Sequence, residues 1–198
     1  MPPSRRLSVV AEPAPAAPAG GLATRSDDEL MLLARAGVEA AFSTLIARHQ
    51  ARTLRLAARY LGRDSLAADV VQDTFLDILG SVSQYQARGK FSSYLYRVLL
   101  NRCHMSWRSA RAEQRALEFM AEGTSEVDEA ELLLRERRRD LSLALGHLSE
   151  KLRSVVLLRY SAGLSYDEIG ATLEIPVGTV KRRLFDAMTK LREGLEGA

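Results

Sequence analysis

Cysteine and aromatic residues are scarce in this chain of 198 residues. Cys103 is the only cysteine, and aromatic residues make up 6% of the sequence. One cysteine cannot build an internal disulfide framework, so we expect a protein of the reducing cytosol. No apolar run approaches the roughly 20 residues that a membrane-spanning helix needs, and the sequence therefore predicts no membrane insertion.

The patterns of common catalytic sites are also missing from the sequence. It contains no Gly-rich phosphate loop and no Ser/His/Asp or Cys/His arrangement. The three histidines are scattered, and Cys103 next to His104 lacks the spaced partners of a zinc site. We expect His49 to be a partly buried core residue. The sequence thus predicts neither an enzyme nor a bound cofactor.

The charged residues of the chain are unevenly distributed. The formal net charge is only +3. One basic stretch contains Arg97, Arg102, Arg108, Arg111 and Arg115, and a second contains Lys181, Arg182, Arg183, Lys190 and Arg192. The acidic segment between them contains Glu122, Glu126, Asp128, Glu129 and Glu131. Two basic patches separated by an acidic connector indicate two nucleic-acid contacts on separate modules.

The hydrophobic pattern is helical along most of the chain, and no segment alternates over the length of a strand. We therefore predict an all-α protein with two small helical domains. Capping-box patterns open helices at Ser26 and Ser165, and Ser149 is expected to cap a third. Up to about Thr24 the chain is rich in Ala and Pro and lacks the apolar core of a secretory signal, which predicts a disordered tail.

Residues 163–184 predict two helices joined by a tight turn. Ser165 and Glu168 form the capping box of the first helix, and Gly170 is small enough to let the second helix cross closely. Pro176 suits the start of that second helix. Its inner face contains Val180, Leu184, Ala187 and Leu191, and its exposed start contains Thr179, Lys181, Arg182 and Arg183. A braced helix of this kind is how a helix-turn-helix enters the major groove, although an ordinary hairpin with a solvated basic face is the alternative.

A helix predicted from about Ser65 to Leu79 carries a compact polar ridge opposite an apolar stripe. The ridge consists of Asp69, Gln72 and Asp73, which lie at helical spacing. Such a ridge suits a basic helical partner. Two alternatives are a solvated face and a metal site formed by Asp69, Asp73 and Asp77.

Three motifs in order resemble the extracytoplasmic-function (ECF, group IV) family of bacterial RNA polymerase sigma factors. They are Asp69-Val-Val-Gln-Asp-Thr-Phe-Leu, then Phe91-Ser-Ser-Tyr-Leu-Tyr-Arg with Asn101, and last Tyr166-Asp-Glu-Ile with Gly178-Thr-Val-Lys. The resemblance covers the chain from about Ser26 to Leu195. It implies sigma region 2 at 26–115, an acidic linker at 116–139 and sigma region 4 at 140–195, and the predicted disordered tail then occupies residues 1–25.

The resemblance also implies partners and residue roles. The ridge matches the family's contact with the β′ clamp helices of core RNA polymerase, and region 4 is expected to sit on the β flap. The holoenzyme would direct promoter-specific transcription initiation in the cytoplasm, and an anti-sigma factor is a further expected partner. Contacts with the minus-ten promoter element are expected from Tyr85, Lys90, Tyr94, Tyr96, Arg97, Asn101 and Arg108. Contacts with the minus-thirty-five element are expected from Ser165, Thr179, Lys181, Arg182 and Arg183.

The composition of the minus-ten segment supports contact with a melted DNA strand independently. Aromatic side chains stack on unpaired bases, at roughly 1–3 kcal/mol per base, and cations follow the phosphates. We expect base contacts from Tyr85 and Tyr96, whereas Phe91 favours a place in the helical core. For Tyr94 and Trp107, a place in the core is the alternative to base contact.

Three positions depart from the pattern of the family. Tyr94 stands where Trp is usual, Met105 where Asp is frequent, and Glu174 at a turn position where Gly is common. They limit any transfer of promoter sequence from relatives. Two alternatives of another class also stay open: a freestanding helix-turn-helix regulator that binds an operator alone, and a helical interaction protein that does not read DNA.

Overall fold

The computed structural model describes residues 21–88, 90–117 and 144–196. The first domain contains the helices α1 (Asp27–Arg35), α2 (Glu39–Leu61), α3 (Asp64–Gly80) and α4 (Phe91–Leu117). The second contains α5 (helical residues 144–147), α6 (Glu150–Tyr160), α7 (Tyr166–Leu173) and α8 (Val177–Glu196). Short 3-10 turns lie at Leu22–Thr24 and Val82–Gln84. Every regular element in these ranges is helical, which confirms the predicted all-α fold of two helical domains.

Two parts of the predicted organisation fall outside the described residues. They are the tail as far as residue 20 and the linker from residue 118. The last residues assigned to the tail, 21–25, form a 3-10 turn against α2. Arg48 of α2 holds this turn, because its guanidinium donates hydrogen bonds to the carbonyl oxygens of Ala23 and Arg25, both at 3.0 Å. Residues 21–25 thus contact the first domain directly before its predicted start at Ser26.

The start of α1 is fixed by local hydrogen bonds and by a longer-range ion pair. Ser26 and Glu29 form the predicted capping box, in which the Glu29 backbone N–H donates to Ser26 Oγ at 3.3 Å. Asp27, in the first turn, lies 2.8 Å from Nε2 of His49 on α2. His49 is 7% exposed, so the prediction of a satisfied core histidine is confirmed. These contacts join the first two helices at one end of the domain.

The core of the first domain lies where α3 packs between α2 and α4. The buried stripe of α3 contains Val70, Val71, Phe75 and Ile78. Phe75 meets Phe42 of α2 edge to face, with ring centroids 6.4 Å apart. From α4, Leu95, Leu99 and Cys103 are fully buried. Since full burial of a large apolar side chain stabilises a fold by about 1.5–3 kcal/mol, this interior is sufficient to hold α3 and α4 in fixed positions.

The second domain is organised around α6, whose residues from Leu152 to Leu158 are all buried. A helix that is buried on every side must be covered by several neighbours. Helices α7 and α8 cover α6 within its own domain, and α2 and α4 of the first domain cover it from the other side. Ser149 takes the N-cap position, but the prediction that its side chain caps the helix is wrong, because Ser149 makes no capping hydrogen bond.

One further property follows from helix length and composition. Within the described ranges, no helix is both long enough and apolar enough to cross a bilayer.

Candidate nucleic-acid interface

The helix-turn-helix of the second domain forms as the sequence predicts. Ser165 caps α7: the Glu168 backbone N–H donates to Ser165 Oγ at 3.3 Å, and the Ser165 backbone N–H donates to Glu168 Oε2 at 2.7 Å. The two hydrogen bonds from Ser165 lower the pKa of the Glu168 carboxyl. The hydroxyl of Ser165, predicted to contact the minus-thirty-five element, is thus already used to start the helix.

The turn between α7 and α8 packs closely against α7 itself, in addition to the crossing of the two helices. A Cβ added at Gly170 would lie 2.9 Å from the carbonyl oxygen of Ile175, so the close approach is to the turn itself. Glu174 ends α7 with φ at 55°, in the left-handed region that favours glycine. Glu174 is the one residue other than glycine with a positive φ in the described part of the chain. Pro176 directly precedes α8, which starts at Val177.

Helix α8 presents a polar start over a buried face. Val180, Leu184 and Ala187 are buried against the domain, as predicted. Lys181 and Arg182 are exposed, and Thr179 and Arg183 are half-buried. The Arg182 side chain is 85% exposed and lies 3.9 Å from Asp186 one turn later. A DNA groove could therefore reach all four side chains at the start of this helix without any unfolding.

The polar ridge of α3 is exposed, with Asp69, Gln72 and Asp73 on one face. Arg102 of α4 reaches this helix, 3.2 Å from Asp73 and 2.5 Å from Asp77. The hydrogen bond from Arg102 is the main cause that lowers the pKa of Asp77. Within the described residues no group of three or more His, Cys, Asp and Glu side chains could hold a metal ion.

Two exposed leucines extend this ridge, and the sequence analysis missed both. Leu76 is 56% exposed and follows Asp73 at helical spacing. Leu79, which the helical pattern assigns to the apolar stripe together with Val71, Phe75 and Ile78, is instead 44% exposed. The helical spacing of 69, 72, 73 and 76 is the signal that could have placed Leu76 on the ridge. The result is a mixed surface of carboxylates, an amide and apolar side chains.

The aromatic residues before and at the start of α4 are tied to the first domain. The Tyr85 hydroxyl donates a 2.7 Å hydrogen bond to Asp28, and the pKa of Tyr85 is raised by burial and by that carboxylate. The hydroxyl of Tyr94 lies 2.7 Å from Ser81 Oγ. Phe91 is 2% exposed, so its predicted core position is confirmed. Both tyrosine rings are half-buried, and the Tyr85 ring packs against Phe91 and Tyr94, with centroid distances of 6.2 and 5.7 Å.

Further along α4, most of the predicted DNA-contacting residues face the second domain. Tyr96 is only 2% exposed. Arg97 forms an ion pair with Glu174 in the turn of the helix-turn-helix. Arg108 donates two hydrogen bonds to Glu150 at the start of α6, at 2.9 and 3.0 Å. Lys90 and Asn101 remain exposed.

The centre of the contact between the domains is a buried arginine that sequence reasoning missed. The Arg153 guanidinium carbon lies 4.3 Å from the ring centroid of Trp107 and 5.0 Å from that of Tyr60. Its Nε donates to the Leu145 carbonyl oxygen at 2.8 Å. The signal was an arginine between the apolar residues Leu152 and Val155 of α6, because an arginine buried at such a position needs aromatic faces or carbonyl groups as partners.

Comparison with known families assigns both domains. Residues 45–113 match the family described as Sigma-70 region 2, and residues 144–193 match Sigma-70, region 4. The ECF RNA polymerase sigma-E factor of Escherichia coli is 30% identical over an alignment of 173 residues, and the alignment covers 82% of this chain and 90% of that protein. The chain belongs to the ECF family of RNA polymerase sigma factors. The resemblance seen in its three motifs is thereby confirmed.

Solved structures show the same architecture as this ECF sigma factor. CnrH, solved in complex with the cytosolic domain of CnrY, is 25% identical with a TM-score of 0.69, over 86% of this chain and 97% of CnrH. The sigma factor RpoE of Bartonella quintana, solved with the anti-sigma factor NepR, shares the fold at 22% identity and a TM-score of 0.59, over 78% and 96% of the two chains.

The family assignment places the ridge of α3 and the polar start of α8 in one sigma factor. Sigma factors are transcription initiation factors for RNA polymerase, and this chain is one of them. The region 2 match includes the ridge of α3 and, on α4, the residues Tyr96, Arg97, Asn101 and Arg108. The region 4 match includes the capped α7, the tight turn and the polar start of α8.

Proposed function

We propose that this sigma factor binds core RNA polymerase through the ridge of α3 and reads promoters through α4 and α8. The observation that carries the proposal is the ridge itself. Asp69, Gln72 and Asp73 are exposed on one face of a helix whose other face is locked in the core, and they belong to the matched region 2. A rigid acidic and amide surface of this kind suits the basic face of a clamp helix.

The DNA contacts are assigned to two places in the fold. The start of α8, with Thr179, Lys181, Arg182 and Arg183, enters the minus-thirty-five element, and Ser165 supports it by capping α7. Region 4 meets the β flap. The second place is α4 and the loop before it, where Tyr85, Lys90, Tyr94, Tyr96, Arg97, Asn101 and Arg108 meet the melted minus-ten strand.

Cellular context follows from this role. The protein acts in the cytoplasm, where polymerase and promoter DNA are found, and it performs no catalysis of its own. An anti-sigma factor is proposed as its regulator, because the Bartonella quintana sigma factor with the same fold was solved with such a partner. That partner would compete with polymerase for surfaces of the two domains.

Binding of purified core polymerase tests the central part of the proposal. Asp69→Arg combined with Asp73→Arg is expected to lower retention on immobilised core at least about 10-fold, because like charges at an interface cost several kcal/mol. The matched control is Glu39→Arg with Glu193→Arg, which changes the net charge equally at exposed positions away from the ridge. Equal retention of the two double variants, both folded by circular dichroism, would refute the role of the ridge.

A further inference from the structure

Three helices of the second domain bring two cations to one exposed aromatic ring. Tyr166, the first residue of α7, is 38% exposed. The guanidinium carbon of Arg159, near the end of α6, lies 5.1 Å from the centroid of the Tyr166 ring. Nζ of Lys181, in the second turn of α8, lies 5.9 Å from the same centroid. Both distances are within the roughly 6 Å over which the face of an aromatic ring attracts a cation.

The Arg159 side chain is fixed beside this ring by a hydrogen bond as well. Its guanidinium donates to the carbonyl oxygen of Leu164, in the loop between α6 and α7, at 2.9 Å. Among the residues that the structure describes, this carbonyl is the only hydrogen-bond partner of the Arg159 side chain. A guanidinium has five N–H donors, so most of those of Arg159 can still donate to an anion that approaches from solvent.

Neither cation on the ring is neutralised by a protein carboxylate. Arg159 and Lys181 form no ion pair within residues 21–88, 90–117 and 144–196, which are the ones described. Arg182, by contrast, lies 3.9 Å from Asp186. A cation that no carboxylate holds can bind a phosphate without first breaking an ion pair. The ring of Tyr166 thus gathers two side chains that are suited to a phosphate ligand.

This ring lies beside the surface that is proposed to enter the major groove. Lys181 belongs to the exposed start of α8, and Tyr166 directly follows Ser165, whose hydroxyl is used to cap α7. In a helix-turn-helix, the helix before the recognition helix crosses the DNA backbone. The start of α7 is therefore expected next to phosphates, which accept hydrogen bonds from arginine and lysine irrespective of base sequence.

We propose that Arg159 and Lys181, held on the ring of Tyr166, bind the phosphate backbone of DNA beside the start of α8. Arg159 is then a DNA-binding residue outside both basic stretches of the sequence, and Tyr166 is a positioning residue for the two cations. The inference rests on the proposed function, because it requires α8 to lie in a DNA groove. It adds a DNA contact from α6 and a role for an aromatic side chain at the start of α7.

Salt-dependent binding of duplex DNA tests the role of Arg159. The full chain is titrated against a short fluorescent DNA duplex of random sequence, and anisotropy gives the affinity at several salt concentrations. Arg159→Gln is expected to reduce the slope of log affinity against log salt by about 1, because each phosphate contact contributes roughly 0.9. The matched control is Lys151→Gln, which removes one positive charge from an exposed position at the opposite end of α6 and should leave the slope unchanged.

Variants of Tyr166 separate positioning of the cations from folding of the domain. Tyr166→Leu keeps an apolar side chain without the aromatic face, and it is expected to weaken duplex binding about 3- to 10-fold. Tyr166→Phe should bind within about 2-fold of the wild type, because phenylalanine also attracts cations and the Tyr166 hydroxyl has no hydrogen-bond partner in the described part of the chain. When Arg159→Gln and Lys181→Ala are already present, Tyr166→Leu should change the affinity by less than about 2-fold, since the ring has no cation left to position.

The outcomes distinguish this inference from the proposed function. If Lys181→Ala reduces the slope and Arg159→Gln behaves as Lys151→Gln does, the phosphate site is wrong and the minus-thirty-five role of Lys181 stands. If neither Lys181→Ala nor Arg159→Gln changes the slope, both the site and that role fail. An equal loss of affinity from Tyr166→Leu with and without the two cations, or a similar loss in Tyr166→Phe, would overturn the positioning role of the ring.

Discussion

Replacement of Gly170 by alanine is expected to destabilise the second domain, although alanine is the better helix former. Within a helix, alanine is favoured over glycine by about 0.8–1 kcal/mol. The added Cβ would lie 2.9 Å from the Ile175 carbonyl oxygen, which belongs to the backbone of the turn and cannot rotate away as a side chain does. Overpacking of this kind typically costs about 1–3 kcal/mol, so we expect a net loss of about 1 kcal/mol in the free energy of unfolding.

Gly178 supplies a matched control for this change. It lies in the first turn of α8, and a Cβ added there meets nothing within 4 Å. Gly178→Ala should therefore be neutral or should stabilise the protein by up to about 0.5 kcal/mol. Urea denaturation followed by circular dichroism measures both variants. A Gly170→Ala protein as stable as Gly178→Ala would show that the turn relaxes freely, and the reasoning from the close approach would be refuted.

Three further predictions concern single side chains. Lys181→Ala should lower holoenzyme affinity for promoter DNA and reduce the slope of log affinity against log salt by about 1, and an unchanged slope would exclude a phosphate contact. For Asp27, burial acts to raise the pKa, but hydrogen bonds from His49 and Arg48 outweigh it and the pKa is lowered. The stabilising effect of the Asp27 carboxylate is thus complete above the ordinary pKa of 3.8 and is lost as the pH falls through its lowered pKa. Asp27→Asn should therefore flatten the acid side of a plot of the free energy of unfolding against pH, and an unaltered plot would contradict this. For His104, burial is the main cause that lowers the pKa, so domain contact should be complete above the ordinary value of 6.5 and weaken as the pH falls through it. Small-angle X-ray scattering at pH 8 and pH 5.5 should show expansion that His104→Gln reduces. Glu150, Arg108 and Arg153 are the charges that face this ring, and none of them changes its charge between these pH values, because the pKa of Glu150 is lowered from 4.5 and arginine stays protonated. Equal expansion in the variant would therefore refute the role of His104.

Local features of this fold were visible in the sequence because they depend on residues a few positions apart. The capping boxes at Ser26 and Ser165 and the exposed start of α8 belong to this class. Capping hydrogen bonds join residues three positions apart, so sequence spacing alone indicates them. Ser149 shows the limit of such reasoning, since the right residue type at the right position forms no capping bond there.

Features that depend on the contact between domains could not be predicted. Tyr96 was expected to contact a base, but it is buried on α4, a helix that packs against α2, α3 and also α7, which lies about 70 residues further along the chain. The pairing of Arg97 with Glu174 is likewise invisible to helical periodicity. The chain contains many cations and carboxylates, and sequence alone does not indicate which of them meet across domains.

The burial of α6 on all sides has a consequence for the life of the free polypeptide. Both domains bury the segment from Leu152 to Leu158, so part of its apolar surface would be exposed to water whenever the two domains separate. Wetting of apolar surface is unfavourable and promotes self-association. Separation of the two domains should therefore be short-lived in dilute solution. It should persist only when a much larger assembly covers the exposed surface of α6.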